Sequence, residues 1–440
     1  MSSSSIGILS IVCVLVLIQG GMPIAIALLL ISLVSIWILT SSITVAGNLV
    51  VLAVSDSISN YNYAVVPLFM LMGLLISVSD IGRDAFQVAS QLFRRVIGGV
   101  GIATVAANAL FAAVTGTSIA SAAVFTRIAV PELTRLGYTN RFAVGVVAGT
   151  SVLGMLIPPS FLMIVFGIIA EVSIGDLFTA GILPGLLLAF AYVLLIICLS
   201  YFWTGYIGAG ARRSHANDGE IPSMSPIELV KCATPITALA GIVLGGIYGG
   251  FFTPTEAAAA GTLGALILAI AKGRLTLKKF WSVLAQAGHA TAAISIILIS
   301  AHTYSRMLAM SGLPNAIGQA AVDSGLGVDS LIVLYLIGVL LLGTILDAVA
   351  IMLILVPLIL PTLVQHHVDL VWFGIISIIA IEVGLLTPPL GLSAFVVKSN
   401  LEDKSIRLGD IFKGAFPFTL MMIVVLALIF LLPGIATILV

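Results

Sequence analysis

The chain has 440 residues, of which 60% are hydrophobic and only 8% charged, with 18 basic and 18 acidic side chains. Soluble domains carry about 25% charged residues, so the composition excludes a soluble fold and points to an all-α polytopic membrane protein set in the lipid bilayer. The zero net charge gives no basis for nucleic-acid binding, and three scattered cysteines (Cys13, Cys198, Cys232) suit neither a disulfide framework nor a metal cluster.

A span needs about 20 apolar residues. The first apolar run, near 5–19, lacks a basic start and a small-residue cleavage site, so it reads as a retained span. Spans near 22–40 and 62–79 follow. Extra apolar chain then covers 98–136, with a polar but uncharged centre at Thr115–Ser121 (TGTSIAS). Only about eight apolar residues, roughly 12 Å of helix, separate that centre from Arg127. Two full spans and a re-entrant hairpin both return to the same side, so parity does not choose between them. The uncharged tip and short second arm favour a hairpin ending at mid-membrane, where bare backbone is tolerated if it lines a site. Close helix packing by Gly116, Ser118 and Ser121 is the plainer alternative. The fourth span, 141–170, carries Pro158-Pro159 in its interior, and a fifth runs near 176–204.

A polar linker at 206–226 precedes the second half. Spans are expected near 229–249, 254–271 and 290–309, where Thr253-Pro254-Thr255-Glu256 reads as a capping box with proline at the first helical position. A second hairpin covers 328–366 with its centre at Gly343–Asp347 (GTILD). A second Pro-Pro, Pro388-Pro389, breaks the span at 370–398, and the last span runs near 408–438.

The halves repeat. Pro23 and Pro254 are 231 residues apart, Gly116 and Gly343 227, Pro158 and Pro388 230, and Asp176 and Asp410 234. The reading is two copies of one unit, 1–205 and 227–440, each with five spans and one re-entrant hairpin. An odd number of crossings makes the second copy inverted. The basic residues set the orientation. Arg83, Arg94, Arg95, Arg135, Arg141, Arg212, Arg213, Lys272, Arg274, Lys278, Lys279, Lys404 and Arg407 fall on one side. The opposite loops hold Glu171, Asp323 and Asp329. Both termini are therefore expected outside. Duplicated, inverted units with discontinuous helices are a transporter signature.

Each proline frees the carbonyl four residues back: Gly154 and Met155 in the first break, Gly384 and Leu385 in the second. A dehydrated Na⁺ accepts several such oxygens together with nearby hydroxyls. One cage would draw on Gly116, Thr117, Ser118, Gly154, Met155 and Pro158. The other would draw on Gly343, Thr344, Asp347, Gly384, Leu385 and Thr387. Helix N-termini at the tips and breaks carry partial positive charge, which suits an anionic substrate.

These stretches resemble the large membrane subunit of TRAP (tripartite ATP-independent periplasmic) transporters. The matching segments are LGMLIPPSFLMIVFGIIAEVSIGDLFTAGILPG, GGIYGGFFTPTEAAAAG, and LDAVAIMLILVPLILP followed by IEVGLLTPPLGLSAFV. The resemblance covers nearly the whole chain. It implies a bacterial inner-membrane, Na⁺-driven importer of organic anions with an elevator mechanism. It also implies two partners, a small four-helix membrane subunit and a periplasmic substrate-binding protein, expected as separate chains. The elevator core of tips and breaks would move against a scaffold formed by the first two and last spans of each repeat. A stand-alone Na⁺/dicarboxylate carrier of the same fold, working without a binding protein, is the alternative; an intramembrane enzyme lacks any catalytic constellation in the sequence, and a channel fits paired cages less well.

Other polar residues carry two readings each. Asp347 suits either a Na⁺ role or a helix cap, and Glu382 either polar packing or ion-site support. Ser121, Ser160 and Arg306 are candidates for substrate contact, although Arg306 also suits a salt bridge or snorkelling toward water. His366-His367 reads as a surface turn.

Overall fold

The computed structural model describes residues 2–59, 61–210, 224–325 and 327–440. The expected linker at 206–226 lies largely outside them. Every regular element among the described residues is helical.

The first part runs α1 (Ser3–Gln19), α2 (Ile24–Thr40), α3 (Ile43–Ser59), α4 (Val65–Val78) and α5 (Ile81–Phe93). It continues with α6 (Gly99–Thr115), α7 (Ser118–Arg135), α8 (Asn140–Ser151), α9 (Leu153–Leu156), α10 (Phe161–Ala170), α11 (Ile174–Phe202) and the short α12 (Thr204–Ile207). The second part runs α13 (Pro226–Tyr248), α14 (Pro254–Ala271), α15 (Leu277–Ser311), α16 (Leu313–Asp323), α17 (Val328–Gly343) and α18 (Ala348–Gln365). It ends with α19 (Leu370–Leu386), α20 (Leu392–Asn400), α21 (Leu408–Leu431) and α22 (Gly434–Thr437).

Among the described residues six helices are each long and apolar enough to cross a membrane, and counting each of two bent pairs, α4–α5 and α8–α10, as one span gives up to eight. Three helices go beyond the expected spans: α3, α5 and α16. The span expected at 290–309 is the second half of a 35-residue helix. Local signals explain the ends. Ser225 and Glu228, and Thr253 and Glu256, form reciprocal capping boxes with proline at the first helical position. Thr139, Ser173 and Asp369 each accept an N–H from the first turn of α8, α11 and α19. His366 and His367 end α18 in an exposed turn.

Two groups of helices emerge from the packing. In the first, α4 lies against α14 and α15, and α15 against α2 and α3; the Thr262 hydroxyl of α14 donates to the Leu68 carbonyl of α4 at 2.8 Å. In the second, the arms α6, α7, α17 and α18 surround the broken helices α8–α10 and α19–α20. The expected scaffold is corrected at one point. The long helices α11 and α21, the last spans of each half, pack mainly against the broken helices, while Phe178 of α11 also meets Phe69 of α4. Glycine explains the intimacy: a Cβ on Gly145 of α8 would lie 2.0 Å from the Gly414 carbonyl of α21, so the two backbones touch. The Tyr206 hydroxyl adds a 2.5 Å bond to that same carbonyl.

Candidate functional site

The first tip is a two-residue break between α6 and α7. Gly116 ends α6 in the left-handed conformation (φ 67°), open to glycine at little cost. Thr117 then caps α7, its hydroxyl accepting the Ala120 N–H at 3.3 Å. This tip meets the first Pro-Pro break. The Phe161 N–H donates to the Gly116 carbonyl at 3.0 Å. A Cβ on Gly116 would lie 2.5 Å from the Pro159 carbonyl oxygen, and one on Gly154 would lie 2.6 Å from the Thr117 carbonyl oxygen. Ser160 caps α10, accepting the Met163 N–H, and its hydroxyl also donates to the Met155 carbonyl. One carbonyl released by the prolines therefore already has a partner. The Pro158-Pro159 bond is cis, as is Pro388-Pro389.

The second tip repeats this arrangement with a four-residue break. Asp347 caps α18, accepting the Ala350 N–H at 2.8 Å. The Leu390 N–H donates to the Thr344 carbonyl at 3.1 Å, joining tip to break. Gly343 and Gly384 meet backbone to backbone. The Gly384 carbonyl accepts the Thr387 N–H at 2.9 Å, while the hydroxyls of Thr387 and Thr344 donate to the carbonyls of Val383 and Leu341. By position in the fold, Thr117 corresponds to Asp347, 230 residues on, the same offset as the Pro-Pro pairs. The Gly-Thr match at 227 is a sequence likeness three residues out of structural register, because the second tip has a longer break and an earlier end to its first arm.

The two halves also touch each other. The Ser118 hydroxyl, at the first tip, donates to Oε1 of Glu382 on α19 at 3.3 Å. Glu382 is 1% exposed.

A cavity of about 640 Å³ opens between the tips and α4, with Ile297 of α15 on its wall. Thr117, Ser118, Ser160 and Asp347 line it, joined by Ser77 and Ser393, which were not anticipated. The first turns of α7, α10, α18 and α20 all reach this wall. Each N-terminus carries roughly half a positive charge, although caps and the Gly116 carbonyl already take some of the first-turn N–H groups. No Lys, Arg or His is among the lining residues. Apart from the Asp347 carboxylate the rest of the wall is mostly apolar, and the helix ends and hydroxyls can hold a small anion once a cation offsets that charge.

Residues 11–435 match the family described as "Tripartite ATP-independent periplasmic transporter, DctM component". The chain belongs to the TRAP transporter large-permease family. It is 31% identical to the C4-dicarboxylate TRAP transporter large permease protein DctM of Pseudomonas aeruginosa, over 87% of this chain and 86% of that one. It is 30% identical to the sialic acid TRAP transporter large permease protein SiaM of Vibrio cholerae, over 95% and 94%. Among solved structures, the YdaH transporter of Alcanivorax borkumensis superposes with a TM-score of 0.56 at 14% identity, covering 85% of this chain and 86% of that one, a likeness of fold.

This TRAP permease is thus a multi-pass membrane protein whose relatives are transporters rather than enzymes. Of the three substrate-contact candidates, Ser160 lines the cavity, and Ser121 and Arg306 lie away from its wall. Arg306 of α15 pairs with Asp56 of α3, one turn from His302, whose Nε2 is 2.6 Å from the Tyr63 hydroxyl. The salt-bridge reading of Arg306 therefore describes its contacts within the chain. The pairing was beyond the sequence reading because α3 itself was not anticipated. Ser121 is fully buried one turn beyond Ser118, its hydroxyl without a partner among the described residues.

Proposed function

We propose that this permease imports a small organic anion, a carboxylate or sugar acid, with Na⁺ as the coupling ion. The observation that carries the reading is the convergence of four helix N-termini on one cavity that has hydroxyls but no basic side chain on its wall. An anion needs positive potential, and here helix ends and bound Na⁺ supply it. The two relatives named above transport a C4-dicarboxylate and sialic acid, both carboxylates, which supports the same class here.

Na⁺ would sit at each tip-and-break junction. The carbonyls of Gly154, Leu385 and Thr117, with the hydroxyl oxygens of Thr117, Ser118, Thr344 and Thr387, are donors of the hard type Na⁺ takes. A hydroxyl that donates its proton to a helix carbonyl keeps oxygen lone pairs for an ion. The Gly-Gly and Gly-carbonyl contacts support close approach of tip and break. Two inverted repeats, 1–205 and 227–440, would place one junction in each half. The unit formed by the hairpins, the broken helices, α11 and α21 would move as an elevator against the outer helices. TRAP large permeases work with a small membrane subunit and a periplasmic binding protein; the same assembly is proposed here, in a bacterial inner membrane with both termini periplasmic.

The test is uptake into proteoliposomes holding the permease, its small membrane subunit and its binding protein. Uptake should require all three and an inward Na⁺ gradient. Equal uptake with K⁺ in place of Na⁺ would sink the coupling claim. Uptake by the permease alone would favour a stand-alone carrier.

A further inference from the structure

Glu382 is a carboxylate sealed inside the fold with a single hydrogen bond. Oε1 accepts the Ser118 hydroxyl at 3.3 Å, and Oε2 is buried with no partner among the described residues. None of the five ion pairs among the described residues includes it. The Tyr192 hydroxyl of α11, within electrostatic reach, is likewise buried and without a partner. An isolated carboxylate in a low-dielectric interior is expensive unless a positive charge neutralises it. Among the described residues no Lys, Arg or His pairs with it.

The position of Ser118 says where that charge comes from. Its side chain lies on the cavity wall at the first tip, next to Thr117. With its proton directed at Glu382, the hydroxyl turns its oxygen lone pairs elsewhere and becomes a more polarised donor to a cation. We infer that Glu382, reaching across from the second half, is a positioning residue for the Na⁺ held at the first tip: it orients and polarises the Ser118 hydroxyl and carries the counter-charge. This is the relation by which outer carboxylates tune directly bound ligands in metal sites. It makes the two junctions interdependent, since Glu382 lies on the same helix as, and two residues before, Gly384 of the second junction. The inference rests on the Na⁺-coupled reading above.

The experiment uses the full-length permease, purified with its small membrane subunit, and follows thermal stabilisation against Na⁺ concentration, with K⁺ holding ionic strength. Glu382→Gln keeps an oxygen for the Ser118 bond and removes only charge. It should raise the apparent Na⁺ dissociation constant at least tenfold and lower the Hill coefficient toward one, while the Na⁺-free melting temperature is unchanged or higher. Glu382→Met, an apolar replacement of similar size, should do the same and serves if the Gln variant does not fold. Because Glu382 acts in part through Ser118, Glu382→Gln combined with Ser118→Ala should weaken Na⁺ binding by less than the product of the two single effects. A Na⁺ curve within twofold of wild type for Glu382→Gln or Glu382→Met overturns the inference and points to a proton as the neutralising charge. Multiplying effects in the double variant overturn the route through Ser118. A wild-type protein stabilised equally by Na⁺ and K⁺ overturns the coupling reading itself, and this inference with it.

Discussion

Gly343 and Gly384 are packed so closely that a methyl group built on either would lie 2.7 Å from the α-carbon of the other. No side chain fits between them, so the second hairpin and second broken helix can meet only as bare backbones. Gly384→Ala should push tip and break apart, lowering stability by about 1–3 kcal/mol and weakening Na⁺ binding. The Na⁺-free melting temperature and the Na⁺ titration check both parts. Unchanged Na⁺ binding would mean that the contact is structural only.

Gly154→Ala makes the matching case in the first half. Its new methyl group would lie 2.6 Å from the Thr117 carbonyl oxygen, a backbone atom that cannot swing away. The variant should lose Na⁺-dependent uptake in proteoliposomes by tenfold or more. Ala in place of Gly241 of α13, where an added Cβ meets nothing within 4 Å, is the control and should transport normally.

Asp347 does two things that substitution can separate. Asparagine caps helices as well as aspartate does, so Asp347→Asn preserves the bond to the Ala350 N–H and removes only charge. If Asp347 helps hold Na⁺, the Na⁺ concentration for half-maximal uptake rises about tenfold with little change in melting temperature. If it is a cap alone, Asp347→Asn is silent, and Asp347→Ala costs about 1 kcal/mol of stability.

Ala120 sits on the cavity wall in the first turn of α7 and is partly buried there. Ala120→Phe should obstruct the anion while leaving Na⁺ stabilisation intact. Uptake in proteoliposomes should fall to background. Retained uptake would place the anion elsewhere.

Arg306 and Asp56 are partly exposed at their contact, and such pairs contribute about 0–1 kcal/mol. Arg306→Ala should therefore leave the substrate KM within twofold. A large rise in KM would restore a substrate role to its guanidinium.

The breaks and tips were legible because prolines, glycines and hydroxyls stand out in an apolar chain. Pro158-Pro159, Thr117 and Asp347 could be placed from residue chemistry alone. What escaped depended on distance or on mixed composition. Ser118 and Glu382 are 264 residues apart, and Arg306 and Asp56 are 250; no local pattern encodes such a meeting. Helix α3 ends in Ser55, Asp56, Ser57 and Ser59, and α5 alternates apolar and polar faces, so neither reads as a span. The Gly-Thr echo misled by three residues because identical letters were matched where the fold matches functions, a threonine cap with an aspartate cap. The role of α11 and α21 hung on packing partners, which apolar runs do not specify.

Helix α15 has 35 residues without a break, about 52 Å at 1.5 Å per residue, against a hydrocarbon core near 30 Å. Its apolar part, near 290–309, already matches that core, so the first turns with Lys278 and Lys279 stand beyond it as a rigid extension of the span. In the first half α3 and α4 are instead separated by a 3-10 turn at Tyr61–Ala64. A push on the first turns of α15 is therefore carried into the bilayer by the helix itself, with no joint to absorb it.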